Sequence, residues 1–164
     1  MSIDFHMSNT TWLITGASSG LGYALGEYVL KQGDRVVLAA RTLGSMAGLA
    51  KRFPETGLAL ALDVTKPVQR SAVVEQTETR FGGIDVLVNN AGIDFLGAIE
   101  EQNEDDYRAL FEVNFFGARP FCVSSCQACV GASGEQSSTC RPWTAWPVCL
   151  RTATTRRVNS RWKA

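Results

Sequence analysis

Four apolar runs typical of buried β-strands alternate along this chain with four segments typical of helices. The strand-like runs cover residues 11–15, 35–40, 57–62 and 84–88, and most of their apolar residues are consecutive rather than alternating. Strands of this kind are buried on both faces, which requires a parallel sheet with helices on each side. With right-handed crossovers, the sequence predicts a doubly wound α/β sheet that is truncated after its fourth strand and helix.

The helical segments follow the strands at spacings that fit short connections. The first lies between the glycines at positions 20 and 33, and the others are expected at 43–53, at 67–81 and from 101 to about 116. Hydrophobic residues recur at helical spacing in the first segment. The sequence therefore predicts that one face of this helix is formed by Leu21, Ala24, Leu25, Tyr28 and Val29.

The turn between the first strand and the first helix is rich in glycine. Gly16, Gly20 and Gly22 follow Thr15 in the spacing G-x-x-x-G-x-G, which differs from both the G-x-G-x-x-G fingerprint and the phosphate loop. Glycine allows a tight turn and a close approach of the backbone to a ligand. The free N–H groups of the helix behind it suit a pyrophosphate. Taken alone, such a turn also has a purely structural interpretation.

Polar side chains follow the other predicted strands at their carboxyl ends. Arg41 follows the second strand, Asp63 the third, and residues 89–92 (Asn-Asn-Ala-Gly) the fourth. Ligands of doubly wound sheets bind outside the carboxyl ends of the strands. We therefore expect these residues to share one edge of the sheet with the glycine-rich turn.

These motifs together resemble a known family. T-G-A-S-S-G-L-G at 15–22, Asp63-Val64, N-N-A-G at 89–92 and V-N-F-F-G at 113–117 occur in the order and spacing of the short-chain dehydrogenase/reductase family. The resemblance covers about residues 10–118. It implies an incomplete Rossmann-like dinucleotide-binding domain over residues 1–118. It also implies an oxidoreductase that transfers a hydride between a nicotinamide cofactor and a small carbonyl or alcohol substrate.

The resemblance also implies a role for each matching residue. The group expected to hold the phosphates and a ribose of the cofactor is Gly16, Ser18, Ser19, Gly20, Leu21 and Gly22. The residues expected at the adenine are Asp63 and Val64. Those expected along the ribose side are Asn90, Ala91 and Gly92. Asn114 corresponds to the catalytic asparagine that holds a water in the proton relay of the family.

The end of the second strand indicates which cofactor is preferred. An acidic residue there binds the ribose 2′-hydroxyl of NAD, but this chain has Ala40 followed by Arg41. A planar guanidinium suits a phosphate. We therefore expect NADP rather than NAD, the alternative being that Arg41 is a solvated loop residue.

The proton donor of the family is absent from this sequence. The family uses a tyrosine in Y-x-x-x-K together with an upstream serine, whereas the last tyrosine here is Tyr107 and the only later lysine is Lys163. We expect the chain as written to be inactive. The alternative hypothesis is a non-catalytic dinucleotide-binding or interaction protein.

Residues 119–164 differ in composition from the rest of the chain. This tail has seven basic residues and one acidic residue, all five cysteines and three of the four tryptophans, whereas residues 1–118 carry 9 basic and 15 acidic side chains. We expect the tail to be disordered. Back-translation read one base early yields strings that resemble the missing serine and Y-x-x-x-K. The sequence thus predicts a single-frame slip between about Gly117 and Phe121.

Composition and cysteine spacing exclude several other classes of function. The first three cysteines of the tail have the spacing C-x3-C-x2-C, which gives one C-x-x-C rather than two, and no histidine is nearby, so no metal site is expected. A formal net charge of zero argues against a nucleic-acid-binding protein.

No apolar run is long enough to span a membrane, and the first residues do not resemble a secretory signal, so we expect a cytoplasmic protein. The resemblance implies a possible homo-oligomer formed through the fourth helix.

Overall fold

The computed structural model describes residues 9–101, 103–119 and 148–150. The elements of its α/β core are β1 (Thr11–Thr15), α1 (Gly20–Lys31), β2 (Arg35–Ala40), α2 (Gly44–Arg52), β3 (Gly57–Ala61), α3 (Pro67–Phe81) and β4 (Val86–Val88). A 3-10 helix, Ile99–Glu101, precedes α4 (Glu104–Phe111). The chain then continues from α4 into a π-helical segment, Glu112–Gly117, and β5 is Val148–Leu150.

The described strands form one sheet in the order β3-β2-β1-β4-β5. β1 pairs in parallel with both β2 and β4, and β2 pairs in parallel with β3. This arrangement confirms the doubly wound parallel sheet that the alternation of strands and helices predicts. The strand order reverses between β1 and β4, and this is the position at which sheets of this kind bind ligands.

The core lies in two layers, one on each face of the sheet. Leu13 and Val37 pack on one face with Val73 of α3, whereas Ile14 packs on the other with Leu30 of α1. All of these side chains are at most 2% exposed. Because successive residues of a strand point to opposite faces, burial on both sides explains why the apolar residues are consecutive.

The buried face of α1 agrees only in part with the face that hydrophobic spacing predicts, since Val29 is buried and Leu25 packs against the core. Leu21 is 74% exposed and Tyr28 is 62% exposed. The buried residues are Gly22, Gly26, Val29 and Leu30. A Cβ on Gly26 would lie 2.4 Å from Cδ2 of Leu38, so the helix lies too close to the sheet for any side chain there. The prediction was wrong for Leu21 and Tyr28, because glycine contributes nothing to a hydrophobic pattern.

The last two elements of the core have different boundaries from those predicted. β4 is three residues long, and the preceding Asp85 instead accepts a hydrogen bond from the N–H of Thr11 at 2.9 Å. α4 begins at Glu104, because the Oδ1 atom of Asn103 accepts from the N–H of Asp106 at 3.0 Å and caps the first turn. The continuous helix predicted up to residue 116 is α-helical only to Phe111.

β5 covers the edge of β4 that a sheet truncated after its fourth strand would leave exposed. Val148–Leu150 pairs antiparallel with β4, with Cys149 opposite Leu87. An unpaired edge presents free N–H and C=O groups that accept another strand, and β5 takes this position. The predicted frame slip begins within the described residues, which continue to Arg119, whereas residues 120–147 and 151–164 of the tail lie outside them.

Candidate functional site

The glycine-rich turn after β1 packs directly against the loop after β4. A Cβ on Gly16 would lie 2.7 Å from Cα of Ala91, and one on Gly22 would lie 2.4 Å from Nδ2 of Asn90. Gly16 also has a φ of +67°, which few other residues adopt. These two glycines are therefore required by contacts within the protein.

Gly20 is required for a different reason. Its φ is +57°, yet a Cβ placed on it would meet no atom within 4 Å. Ser19 and Gly20 are both exposed, as is Leu21. This part of the turn faces open space, so it is available to a ligand.

The first turn of α1 is open to an anion. Its N-cap residue, Ser19, makes no side-chain capping hydrogen bond, and there is no acidic residue in the first turn. A helix N-terminus of this kind has free N–H groups and the positive end of the helix dipole. It can accept a phosphate without displacing a protein side chain.

Thr15 and Asn90 join the carboxyl ends of β1 and β4. The hydroxyl of Thr15 donates to the carbonyl of Val88 at 3.3 Å and accepts from the N–H groups of Asn90 and Ala91, each at 3.0 Å. In return, Nδ2 of Asn90 donates to the carbonyls of Thr15 at 3.1 Å and Gly16 at 3.0 Å. Asn90 therefore shapes the turn from behind. Thr15 was not among the predicted site residues, although it directly precedes the first glycine of the motif.

Arg41 and Asp63 lie near each other at the ends of β2 and β3. Two hydrogen bonds from Thr65 to Oδ1 of Asp63, from its hydroxyl at 2.7 Å and its N–H at 2.9 Å, are the main cause of a lowered pKa of this carboxyl. The positive charges of Lys66 and Arg41 lower the pKa further. Asp63 is therefore held as an oriented carboxylate, and the side chain of Arg41 is exposed beside it.

Side chains from α2 and α3 fix the backbone of these loops. The hydroxyl of Ser45 donates to the carbonyl of Ser18 at 2.5 Å and ties the start of α2 to the glycine-rich turn. Oε1 of Gln69 accepts from the N–H of Asp63 at 2.7 Å. Neither Ser45 nor Gln69 was predicted from the sequence, because these contacts join residues that belong to no shared motif.

Asn114 lies in the π-helical segment and holds the loop after β4. Its Oδ1 accepts from the N–H of Ile93 and its Nδ2 donates to the carbonyl of Ile93, each at 2.9 Å. A Cβ on Gly92 would lie 3.3 Å from Oδ1 of Asn114, so the loop passes close to this amide. π-helical turns occur frequently at functional sites, and this one places Asn114 at the carboxyl edge of the sheet.

All of the predicted site residues except Asn114 therefore follow the carboxyl ends of the four parallel strands. Contacts connect Gly16 to Ala91, Gly22 to Asn90, and Gly92 to Asn114, while Arg41 acts on Asp63 through its charge. In residues 9–101 and 103–119, the side chains of His, Cys, Asp and Glu form no group of three suited to a metal ion. Among the helices that the structure describes, none has the length and hydropathy to cross a bilayer.

Comparisons with known proteins agree with this architecture. The family model of the short chain dehydrogenases matches residues 10–135, which is further along the chain than the sequence motifs reach. An oxidoreductase of Botryotinia fuckeliana is 40% identical over 107 residues, which cover 65% of this chain and 39% of that protein. The chain thus spans well under half the length of this relative.

Solved structures indicate the same family. L-sorbose reductase from Gluconobacter frateurii, in complex with NADPH and L-sorbose, superimposes with a TM-score of 0.68 at 33% identity, covering 76% of this chain and 49% of that one. The 3-ketoacyl-(acyl-carrier-protein) reductase of Brucella melitensis, in complex with NADH, has a TM-score of 0.72 at 30% identity, with coverages of 79% and 55%. The motifs, the sheet and these comparisons agree: the chain belongs to the short chain dehydrogenase family.

Proposed function

We propose that this chain binds NADP(H) along the carboxyl edge of β1 to β4. The observation that carries the proposal is the open N-terminus of α1, with Gly20 facing space and no acidic or capping side chain in the way. There Gly16, Ser18, Ser19, Gly20, Leu21 and Gly22 would hold the phosphates and a ribose. The adenine would lie against Asp63 and Val64, and the second ribose along Asn90, Ala91 and Gly92.

The preference for NADP(H) over NAD(H) rests on Arg41. β2 ends at Ala40 without a carboxylate, and Arg41 follows with its side chain exposed. None of the ion pairs between described side chains involves Arg41, so its guanidinium is free to bind a 2′-phosphate. The two structural relatives contain NADPH and NADH respectively, so the family fold accommodates either cofactor.

The reaction proposed for this lineage is the interconversion of a carbonyl and a hydroxyl group on a small molecule. The bound cofactor supplies or accepts the hydride. In this chain Asn114 fixes Ile93, and the Thr15–Asn90 contacts fix the glycine-rich turn, so the carboxyl edge of the sheet is organised before the cofactor binds.

The 164 residues contain no Y-x-x-x-K, the motif that moves the proton. We expect this chain to bind the cofactor without turnover, and the frame-slip hypothesis, which coding DNA tests, accounts for the missing motif.

Fluorescence titration of the full chain with NADPH and NADH tests the proposal. We expect NADPH to bind about tenfold or more tightly than NADH, since a charge-assisted contact to a phosphate contributes about 1.5–3 kcal/mol. Arg41→Ala should abolish this difference by weakening NADPH alone. Arg52→Ala is the matched control, because Arg52 pairs with Glu27 at 3.2 Å and is not among the site residues.

Two outcomes would contradict the proposal. Absence of binding by either dinucleotide would favour the alternative, a non-catalytic interaction protein. Equal affinity for both cofactors, unchanged in Arg41→Ala, would leave Arg41 as a solvated loop residue. Oxidation of NADPH in the presence of small ketones and aldehydes, followed by absorbance, would disprove the expected inactivity.

A further inference from the structure

Gly117 closes the π-helical segment directly against Val64. A Cβ on Gly117 would lie 2.9 Å from Cγ2 of Val64 and 3.1 Å from the carbonyl oxygens of Val64 and Glu112. Such distances are shorter than ordinary van der Waals contacts, and two of the three neighbours are backbone atoms. Gly117 is buried and has an ordinary helical conformation in which alanine is otherwise favoured. Its lack of a side chain is therefore needed for the contact with Val64.

A hydrogen bond from α3 also holds Val64. Nη1 of Arg70, in the first turns of α3, donates to the carbonyl of Val64 at 2.5 Å. The side chain of Val64 is 7% exposed and packs in the core cluster that contains Leu62 and Val73. The Asp63–Val64 backbone therefore has little room to adjust if Gly117 gains a side chain.

The π-helical segment thus contacts both ends of the proposed cofactor site. Through Asn114 it holds Ile93 in the loop after β4, and through Gly117 it touches Val64 in the loop after β3. We propose that Gly117 is a positioning residue that sets the location of Val64, and with it Asp63, for the adenosine half of the dinucleotide. This inference rests on the proposed function and concerns one half of the same site.

Binding of cofactor fragments to the full chain tests the inference. Gly117→Ala should weaken binding of adenosine 2′,5′-bisphosphate about tenfold, because overpacking the buried contact displaces the Asp63–Val64 backbone from the position that binds the adenosine. Binding of nicotinamide mononucleotide should change less than about twofold, since the Asn114–Ile93 contact holds a different loop, the one after β4. A variant that was merely less stable would lose both fragments in parallel.

The chain offers a matched control and a rescue. Gly48, in α2, would meet nothing within 4 Å if it gained a Cβ, so Gly48→Ala should leave both affinities unchanged. Val64→Ala removes the Cγ2 atom, so in this background Gly117→Ala should cause a smaller loss than in the wild type. Arg70→Met removes the hydrogen bond to the carbonyl of Val64 and should also weaken binding of the adenosine fragment alone, whereas Arg70→Lys retains a donor and should restore binding.

The outcomes separate this inference from the proposed function. If the wild type binds no dinucleotide, the proposed function fails. If the wild type binds and Gly117→Ala keeps its affinity for adenosine 2′,5′-bisphosphate, the inference alone fails.

Amide hydrogen exchange at residues 63–66 gives a readout that needs no ligand. Faster exchange in Gly117→Ala is expected, and unchanged exchange would overturn the inference. Should Gly117→Ala not fold, Arg70→Met carries the same fragment test, and an unchanged adenosine affinity there would overturn it.

Discussion

Single side chains at the carboxyl edge of the sheet act mainly on backbone groups. Thr15, Ser45 and Gln69 each bond to the main chain of a neighbouring loop, and Asn114 uses both ends of its amide on Ile93. A site built this way is rigid before a ligand arrives, which reduces the entropy lost on binding. The motif residues were predictable from local sequence. Thr15, Ser45 and Gln69 were not, because their partners are known only once the strands are paired.

The carboxylate of Asp63 should make stability depend on pH. Its pKa is lowered from the ordinary 3.8, chiefly by hydrogen bonds from Thr65. The stabilisation is therefore complete above the pKa of an unfolded aspartate and is lost as the pH falls through the lower folded pKa. We expect Asp63→Asn to lower the urea midpoint at pH 7 and the difference from the wild type to narrow as the pH falls from 5 toward 3.

Thr65→Val provides the control for that measurement. It removes the hydroxyl donor at 2.7 Å, so the pKa of Asp63 should move back toward its ordinary value. The effect of Asp63→Asn on the midpoint should then be smaller at pH 7. A midpoint difference that stays constant from pH 7 to pH 3 would mean that the charge of Asp63 has no role in stability.

At the scale of elements, the sequence pattern predicted the strands, whereas the buried face of α1, the π-helical turn and β5 depend on packing between elements. The strand runs were predictable because burial on both faces makes their residues continuously apolar. The face of α1 was not, because Gly22 and Gly26 create it by lacking side chains. The π-helical turn was also missed, since E-V-N-F-F-G has no local feature that distinguishes it from an α-helix. β5 is only three residues long and is defined by its partner β4.

Replacement of glycine by alanine should have opposite effects on the free energy of unfolding at Gly48 in α2 and at Gly26 in α1. Alanine gains about 0.8–1.0 kcal/mol over glycine in a helix interior. In Gly48→Ala nothing opposes this gain, so the free energy of unfolding should rise by about that amount. In Gly26→Ala the added Cβ would lie 2.4 Å from Cδ2 of Leu38, which is fully buried, and the overpacking should cost about 1–3 kcal/mol.

Urea unfolding of both variants measures the difference directly. We expect the midpoint of Gly48→Ala to lie above that of the wild type and the midpoint of Gly26→Ala to lie at or below it. Leu38→Val makes room at the contact, so Gly26→Ala should cost less in that background. A rise of equal size in both single variants would show that α1 lies further from the sheet than its buried glycines indicate.

At the scale of the whole molecule, two surfaces are candidates for self-association. The fourth helix and the π-helical segment after it expose three phenylalanines, Phe111 at 56% and Phe115 and Phe116 at 54% each. The rings of Phe115 and Phe116 contact each other edge to face, with centroids 5.2 Å apart. The other surface is the edge of β4, which β5 covers with three residues. The family resemblance favours the helix, through which a second copy would pair.

Light scattering after size-exclusion chromatography distinguishes the two surfaces. If copies pair through the helix, Phe111→Ser with Phe115→Ser should shift the mass toward that of a monomer, because the change removes exposed apolar area that only a partner would bury. Cys149→Pro should act in the opposite direction. Proline is poorly tolerated within a paired strand, so this change should weaken the pairing of β5 with β4 and leave β4 open to strand addition. A wild type that is a monomer at all concentrations would contradict pairing through the helix. A dimer unaffected by the phenylalanine changes but converted to larger species by Cys149→Pro would place the interaction elsewhere on the surface and confirm that β5 protects the edge of β4.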